Sequence, residues 1–247
     1  MTDSYVSLDL ETTGLNPKMD KIIEIGAVKV LHGEVVDTFA SFVNPARLLN
    51  DKVKKLTGIM DANLVDAPLI EEILPTLLDF VGELPLLGHS ILFDYSFIKK
   101  AAVNQKKSFE KQGIDTLRIA RKYLPDLESR NLGFLCKHFG ILHTEHRALG
   151  DAEATHALYL ELCKLFMSTN ERESSIRNER ANEMAGVFAP RQLLYQVKKE
   201  SPITKHQKER LYELICKHKV IIDYDVEHLT KNEASRQTDI ILSKYGR

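Results

Sequence analysis

The sequence predicts an α/β fold: a mixed sheet flanked by helices, with a small helical unit after it. Three observations carry that expectation. Residues 5–43 hold three short β-rich runs joined by brief connections. From residue 69 onward, apolar residues recur at helical spacing between further short apolar runs. After a polar stretch, two helix-start signatures occur within the last fifty or so residues. Strands first, followed by alternation of strand and helix, is the order that builds a mixed sheet between helical layers.

The elements follow in order. Tyr5–Leu10 and Ile22–Val30 read as strands, and His32-Gly33-Glu34 turns the chain into a third, Val35–Val43, which Asn44-Pro45 ends. Leu69, Ile73, Leu74, Leu77, Phe80 and Val81 share one helical face, and Pro75 is expected to kink or split that helix. Leu84–Gly88 is a fourth strand, followed by a helix over about 95–103, and Gly113–Leu117 is a fifth. Further helices are expected at about 116–123, 131–139 and 148–167. Residues 168–200 are polar, show no apolar stripe before Val187, and read as a linker. In 201–247, Thr204-Lys-His-Gln207 and Thr230-Lys-Asn-Glu233 are capping boxes. Behind them, Leu211, Leu214 and Ile215 form one apolar face and Ala234, Ile241 and Tyr245 another, joined by the extended Val220–Asp225. The organisation expected is therefore a sheet domain over 1–167, a polar linker over 168–200 and a helical accessory module over 201–247.

Composition narrows the class. With 247 residues, 43% hydrophobic and 28% charged, the chain has a globular balance rather than that of a disordered one. No run of about 18 apolar residues exists to span a membrane, and the first residues lack a signal-peptide pattern. Three dispersed cysteines, Cys136, Cys163 and Cys216, without a CxxC pair, read as reduced thiols of a cytoplasmic protein. A net charge of −1 gives no global pull on nucleic acid, so such binding needs a local patch. The lysines and arginines concentrated in residues 99–122 are either a solvated face or a track for phosphates.

Acidic residues carry the chemical signal. Asp9 and Glu11 are two apart on the first strand and emerge on one face, with Leu8 and Leu10 on the other. Carboxylates so placed repel each other unless a cation or proton intervenes. Thr12-Thr13-Gly14-Leu15 then makes a tight turn where backbone can approach a ligand. Asp94 stands at a helix start after the fourth strand. Asp151 opens the 148–167 helix on the stripe of Leu158, Leu162 and Leu165, with His146 five residues earlier.

Asp-x-Glu, a later Asp, then His-x4-Asp resembles the DEDDh family of 3′→5′ exonucleases, which includes the proofreading epsilon subunit of bacterial replicative polymerase. The matching stretches are Val6–Leu15, Ile22–Val28, Gly88–Phe97 and His146–His156, and the resemblance covers about residues 4–167. It implies a ribonuclease-H-like five-stranded mixed sheet. It also implies that Asp9, Glu11, Asp94 and Asp151 hold two divalent cations, Mg²⁺ or Mn²⁺, Asp94 partly through water. His146 is implied as general base, a role suited to a group with an unperturbed pKa of about 6.5. Thr12 is implied to meet the terminal 3′-hydroxyl and Leu15 to wedge against the last base, while His89, Phe93 and Phe97 line the pocket. A hard-oxygen donor set without thiolate suits these cations rather than zinc. The function so implied is hydrolysis of single-stranded or frayed DNA ends to nucleoside 5′-monophosphates, in proofreading or repair. RNA 3′-end trimming, oligoribonuclease activity and a non-catalytic nucleic-acid-binding role are the alternatives. A replication or repair protein is the partner expected for 201–247, and no membrane association is expected.

Overall fold

The computed structural model describes residues 2–144, 146–167 and 186–246. Its strands are β1 (Tyr5–Thr12), β2 (Ile22–Leu31), β3 (Glu34–Phe42), β4 (Leu86–Gly88), β5 (Gln112–Asp115) and β6 (Arg191–Gln192). They form one sheet in the order β3-β2-β1-β4-β5-β6. The β1–β2, β2–β3 and β5–β6 pairs are antiparallel, and β1–β4 and β4–β5 are parallel. This is the expected ribonuclease-H-like mixed sheet, with a sixth strand that the sequence pattern did not show.

The period-two alternation of β1 assigns its faces. Val6, Leu8 and Leu10 join Ile25 and Ala27 in a core covered by α3 (Ile70–Val81) and α4 (Leu92–Asn104). Tyr5 faces the other way, toward α5 (Thr116–Tyr123), α6 (Leu132–Phe139) and α7 (Ala148–Met167). On that face Tyr5 Oη lies 2.9 Å from His156 Nδ1, and Ser7 Oγ donates to Ala152 O at 2.7 Å. The odd-numbered side chains of β1 thus run along α7 toward its N-terminus, and Asp9 and Glu11 are next in the row. Gly26, the β2 partner of Asp9, lets α7 come this close. A Cβ there would stand 2.1 Å from the Ala148 carbonyl carbon.

Pro75 sits inside α3 without splitting it, because Leu74, Leu77 and Val81 are buried on either side of it and outweigh one missing backbone bond. Two short helices, α1 (Asp51–Thr57) and α2 (Asp61–Leu64), were not expected from the sequence and cover Ile23 with their own small core. On α7, Leu158 and Leu162 are buried as expected, whereas Leu165 is exposed.

Of the expected linker over 168–200, residues 168–185 lie outside the described residues. The rest of it begins by packing against the sheet. Val187 and Phe188 enter the α5–α7 core, β6 pairs with β5, and Leu193 is buried over Gly113. A two-residue exposed strand of Arg and Gln has no alternation to betray it. The C-terminal helices are α8 (Lys205–His218) and α9 (Lys231–Tyr245), both with their capping boxes formed. They enclose a separate core built on Leu211, Leu214, Val226, Leu229 and Ile241.

Much of the basic 99–122 run is structural rather than a phosphate track. Lys99 pairs with Glu110, Lys111 reaches the Gly82 carbonyl, and Arg118 donates to Val187 O at 2.7 Å. No helix among the described residues is long and apolar enough to cross a membrane.

Candidate active site

Asp9 and Glu11 arrive from β1 and Asp151 from the first turn of α7, and one ligand atom of each lies within 4.8 Å of the others. A bulge between Glu11 and Thr12 then breaks the register with β2, the kind of local twist that re-aims a strand end beside a site. Asp94 stands outside this triad but against it. β4 ends at Gly88, so the Leu10 N–H of β1 has no ladder partner, and Asp94 Oδ1 accepts it at 3.1 Å from the first turn of α4.

The charges are only partly compensated. Burial first, then the carboxylates of Asp94, Asp151 and Glu11, push Asp9 well above the usual carboxylate range. Burial also raises Asp94, with Asp115 and Glu11 adding to it. Glu11 is pushed up to about 7 by burial and then by Asp151 and Glu24, offset in part by Arg147. Oxygen donors whose charged forms are disfavoured by burial, and further by one another, are donors that a cation would stabilise. Three carboxylates with no sulfur in the group therefore fit a hard divalent ion.

The α7 N-terminus is pinned by residues outside the expected site. Glu24 accepts from Arg147 Nε at 3.1 Å, from an Arg147 terminal nitrogen at 2.9 Å and from Ala148 N at 3.1 Å. Asp151 Oδ2 accepts from Arg147 N at 3.1 Å, and Asp151 Oδ1 lies 2.6 Å from His143 Nε2. His143 is thus the imidazole that the structure sets against Asp151. His146 is half-buried on the same loop, with a left-handed φ of 62°.

The exonuclease family (RNase_T) matches residues 6–159, a span that holds every one of these carboxylates. The chain belongs to this exonuclease family. The DNA polymerase III PolC-type of Clostridium perfringens is 44% identical over 154 residues, which are 62% of this chain and 11% of that protein. The PolC-type polymerase of Oceanobacillus iheyensis is 41% identical over 186 residues, 74% of this chain and 13% of that protein. The chain therefore spans about a tenth of the length of these relatives. Among solved structures, exonuclease X in complex with 5′-overhanging duplex DNA has a TM-score of 0.56 at 22% identity. It covers 75% of this chain and 99% of its own. The zinc-bound form of an E. coli exonuclease I–single-stranded DNA complex has a TM-score of 0.60 at 21% identity, covering 68% of this chain and 42% of its own. At such identities these two likenesses speak for the fold.

In this exonuclease chain the expected substrate residues fall into different settings. Leu15 is 85% exposed at the tip of the turn after β1, and Thr12 is half-buried, with its hydroxyl donating to Gly14 O at 2.7 Å. Phe93 is half-buried and packs at 5.1 Å between ring centroids on Phe97. Phe97 itself is 3% exposed and belongs to the α3–α4 core. Both ring nitrogens of His89 are engaged, Nδ1 with Thr116 Oγ1 at 2.9 Å and Nε2 with Arg130 O at 2.8 Å. Burial lowers the His89 pKa, and Nε2, which faces a carbonyl oxygen, is the donor there. Gly26, Glu24 and His143 are the positions that sequence reasoning left out of the site. Glu24 and Gly26 lie within the family-like Ile22–Val28 stretch, but only the tertiary approach of α7 gives them a task.

Proposed function

We propose that the chain is a metal-dependent 3′→5′ exonuclease that releases nucleoside 5′-monophosphates from single-stranded or frayed DNA ends, in proofreading or repair. The observation that carries this reading is the convergence of Asp9, Glu11 and Asp151, with Asp94 beside them. The polymerase III relatives and the DNA-bound exonucleases of like fold support DNA as substrate. Asp9, Glu11 and Asp151 hold the cations, Mg²⁺ or Mn²⁺, and Asp94 completes the acidic set. Two such ions, when bound, stabilise charge on the attacking and leaving oxygens of an in-line displacement at phosphorus.

The chain's own groups supply the rest. The Thr12 backbone receives the terminal 3′-hydroxyl, Leu15 packs against the last base, and Phe93 lines the sugar side. His89 and Phe97 act from behind this surface, holding β4 and α4 in place. His146 accepts the proton of the attacking water. A second reading, favoured by the 2.6 Å contact of His143 with Asp151, gives that proton to His143. The cytoplasm is the compartment proposed, and a replication or repair protein is the partner proposed for 201–247.

The test is turnover on single-stranded DNA, paired-primer DNA and RNA labelled at either end, with Mg²⁺ and with excess chelator. Release of 3′-terminal mononucleotides from DNA, abolished by chelator, is the expected result. Full activity in chelator or release from the 5′ end overturns the assignment, and faster turnover of RNA redirects it to RNA trimming. His146→Ala is expected to lose about 10²–10⁴-fold in rate while metal-induced stabilisation persists. A larger loss for His143→Ala, with the same persistence, moves the base role to His143.

A further inference from the structure

Outside the acidic site, a positively charged recess lies where the C-terminal helices meet the turn after β1. A groove of about 550 Å³ opens between the 195–200 segment, the start of α9 and Lys18. Lys18, Lys198, Lys199 and Arg236 line it, against Asp239 and Glu200. Glu200 is already matched, its Oε2 lying 3.3 Å from Lys100 Nζ. Among the described residues, Lys18, Lys198, Lys199 and Arg236 take part in no ion pair. Neutral donors, Gln196, Asn232 and Ser235, line it as well, with Tyr195 and Val197. Four cations outside any ion pair, beside amide and hydroxyl donors, suit a phosphate backbone.

The groove's position suggests what occupies it. Lys18 is three residues beyond Leu15, so its Cα lies within roughly 10 Å of the Leu15 Cα. A strand whose 3′ end sits at Asp9 and Glu11 and whose last base meets Leu15 therefore ends close to the Lys18 wall of the groove.

One wall is tied to that turn through α4, the other through Glu233. Lys100 Nζ donates to Lys18 O at 3.1 Å, and Glu200 N donates to Asn104 Oδ1 at 3.0 Å. On the α9 side, Glu233 divides its carboxylate. Oε2 accepts from Thr230 N at 2.8 Å to complete the capping box, and Oε1 pairs with Lys21 at 2.9 Å and Arg47 at 3.4 Å. Lys21 is locked by its backbone to Thr13, and Arg47 donates to Met19 O at 3.3 Å. The residue that starts α9 therefore also latches the C-terminal unit to the substrate turn.

We propose that this groove is a binding site for the phosphates of a single strand lying 5′ to the bond being cut, with α9 as its outer wall and Glu233 as its latch. The proposal rests on the exonuclease reading above for the direction in which the strand runs.

Binding of labelled oligothymidylate of about fifteen nucleotides to the full chain, in chelator and at several salt concentrations, tests it alongside turnover of a trinucleotide in Mg²⁺. The double variant Lys198→Ala/Arg236→Ala is expected to bind the long strand about ten-fold more weakly. Its plot of log affinity against log salt is expected to be shallower by roughly 1.4, two phosphate contacts at about 0.7 each. Trinucleotide turnover is expected to stay unchanged. Lys52→Ala/Lys55→Ala makes the same charge change on α1 and is expected to leave every readout as it is. Glu233→Gln keeps a residue able to complete the capping box but removes the charge held by Lys21 and Arg47. It is expected to raise KM on the long strand without changing kcat.

Unchanged long-strand affinity and slope in the groove variant overturn the proposal. So does an equal loss in the α1 control, which makes the effect one of bulk charge, or an equal loss on the trinucleotide, which places it at the catalytic site. If the unmodified chain hydrolyses neither oligonucleotide, the active-site reading fails, while the binding comparison still decides the groove.

Discussion

Asp9 shares a buried corner with three other carboxylates, and its energetics dominate the residue scale. The raised pKa values of Asp9, Asp94 and Glu11 mean that the metal-free folded state holds protons that the unfolded chain has released. For Glu11 the window runs from the ordinary glutamate range up to about 7. Stability of the metal-free protein therefore falls as pH rises through that window, and divalent cation restores it. Asp9→Asn removes one repelling charge with one ligand. It is expected to abolish hydrolysis, flatten the decline in melting temperature between about pH 4.5 and 7 in chelator, and weaken the stabilisation by Mg²⁺. Melting curves for the two proteins that stay parallel across this range contradict the charge-repulsion account. His89 shows the opposite sign. Burial holds its ring neutral, so its contribution is present above the ordinary histidine pKa of about 6.5 and is lost as pH falls below it. His89→Ala leaves the Arg130 carbonyl without this partner, while Thr116 keeps its bond to Gly88 O, and is expected to cost about 1–3 kcal/mol in denaturant unfolding. The faces of Asp9, Glu11 and Asp151 were legible from periods of 2 and 3.6, and their grouping from the family resemblance. The task of Asp94 at the Leu10 N–H was not, because it depends on where the neighbouring strand stops.

Elements deliver these residues, and the decisive contact is between β2 and the start of α7. Gly26 is a plain strand position in sequence, yet α7 lies on it so closely that a methyl group meets the Ala148 backbone at 2.1 Å. Backbone cannot swing aside as a long side chain can. Gly26→Ala must lift the first turn of α7, and with it Asp151, off the sheet. It is expected to destabilise the protein by about 1–3 kcal/mol or more, measured by denaturant unfolding, and to lose Mg²⁺-induced stabilisation that a substitution remote from the site keeps. Retention of full Mg²⁺ stabilisation separates the α7 contact from the assembly of the site. The five main strands and the capping boxes were readable because alternation and cap chemistry are local. Strand β6, helices α1 and α2, and the burial of Leu193 over Gly113 were not, being short pieces held by tertiary neighbours. The basic run misled for a like reason: Lys111 and Arg118 find partners distant in sequence, and Lys99 pairs with Glu110 within the run.

At the scale of the whole molecule, part of the stretch expected to be a linker belongs to the sheet domain. Residues 187–193 belong to the sheet domain, contributing Phe188 at 1% and Leu193 at 8% exposure, whereas Leu211, Leu214 and Ile241 close a core of their own. Between the two lie polar attachments: the Glu233 pairs, and backbone bonds from Leu48 N to Asp223 O and from Asp225 N to Ala46 O. Ion pairs with partly exposed cations contribute little to stability, whereas a buried Phe or Leu contributes about 2–5 kcal/mol each, a large share of a typical 5–15 kcal/mol. A chain ended after Glu200 is therefore expected to unfold cooperatively within a few degrees of the full protein and to hydrolyse a trinucleotide at near its full rate. It loses affinity only for longer strands, because α9 is gone from the groove. A chain ended after residue 185 also loses β6, Phe188 and Leu193, and is expected to melt far lower and to lose turnover on every substrate. Thermal unfolding of the two truncations side by side separates the cases. Equal melting temperatures mean that 186–200 contributes nothing to the sheet domain. Collapse of both means that the C-terminal core, and not only its neighbour, holds the catalytic sheet together.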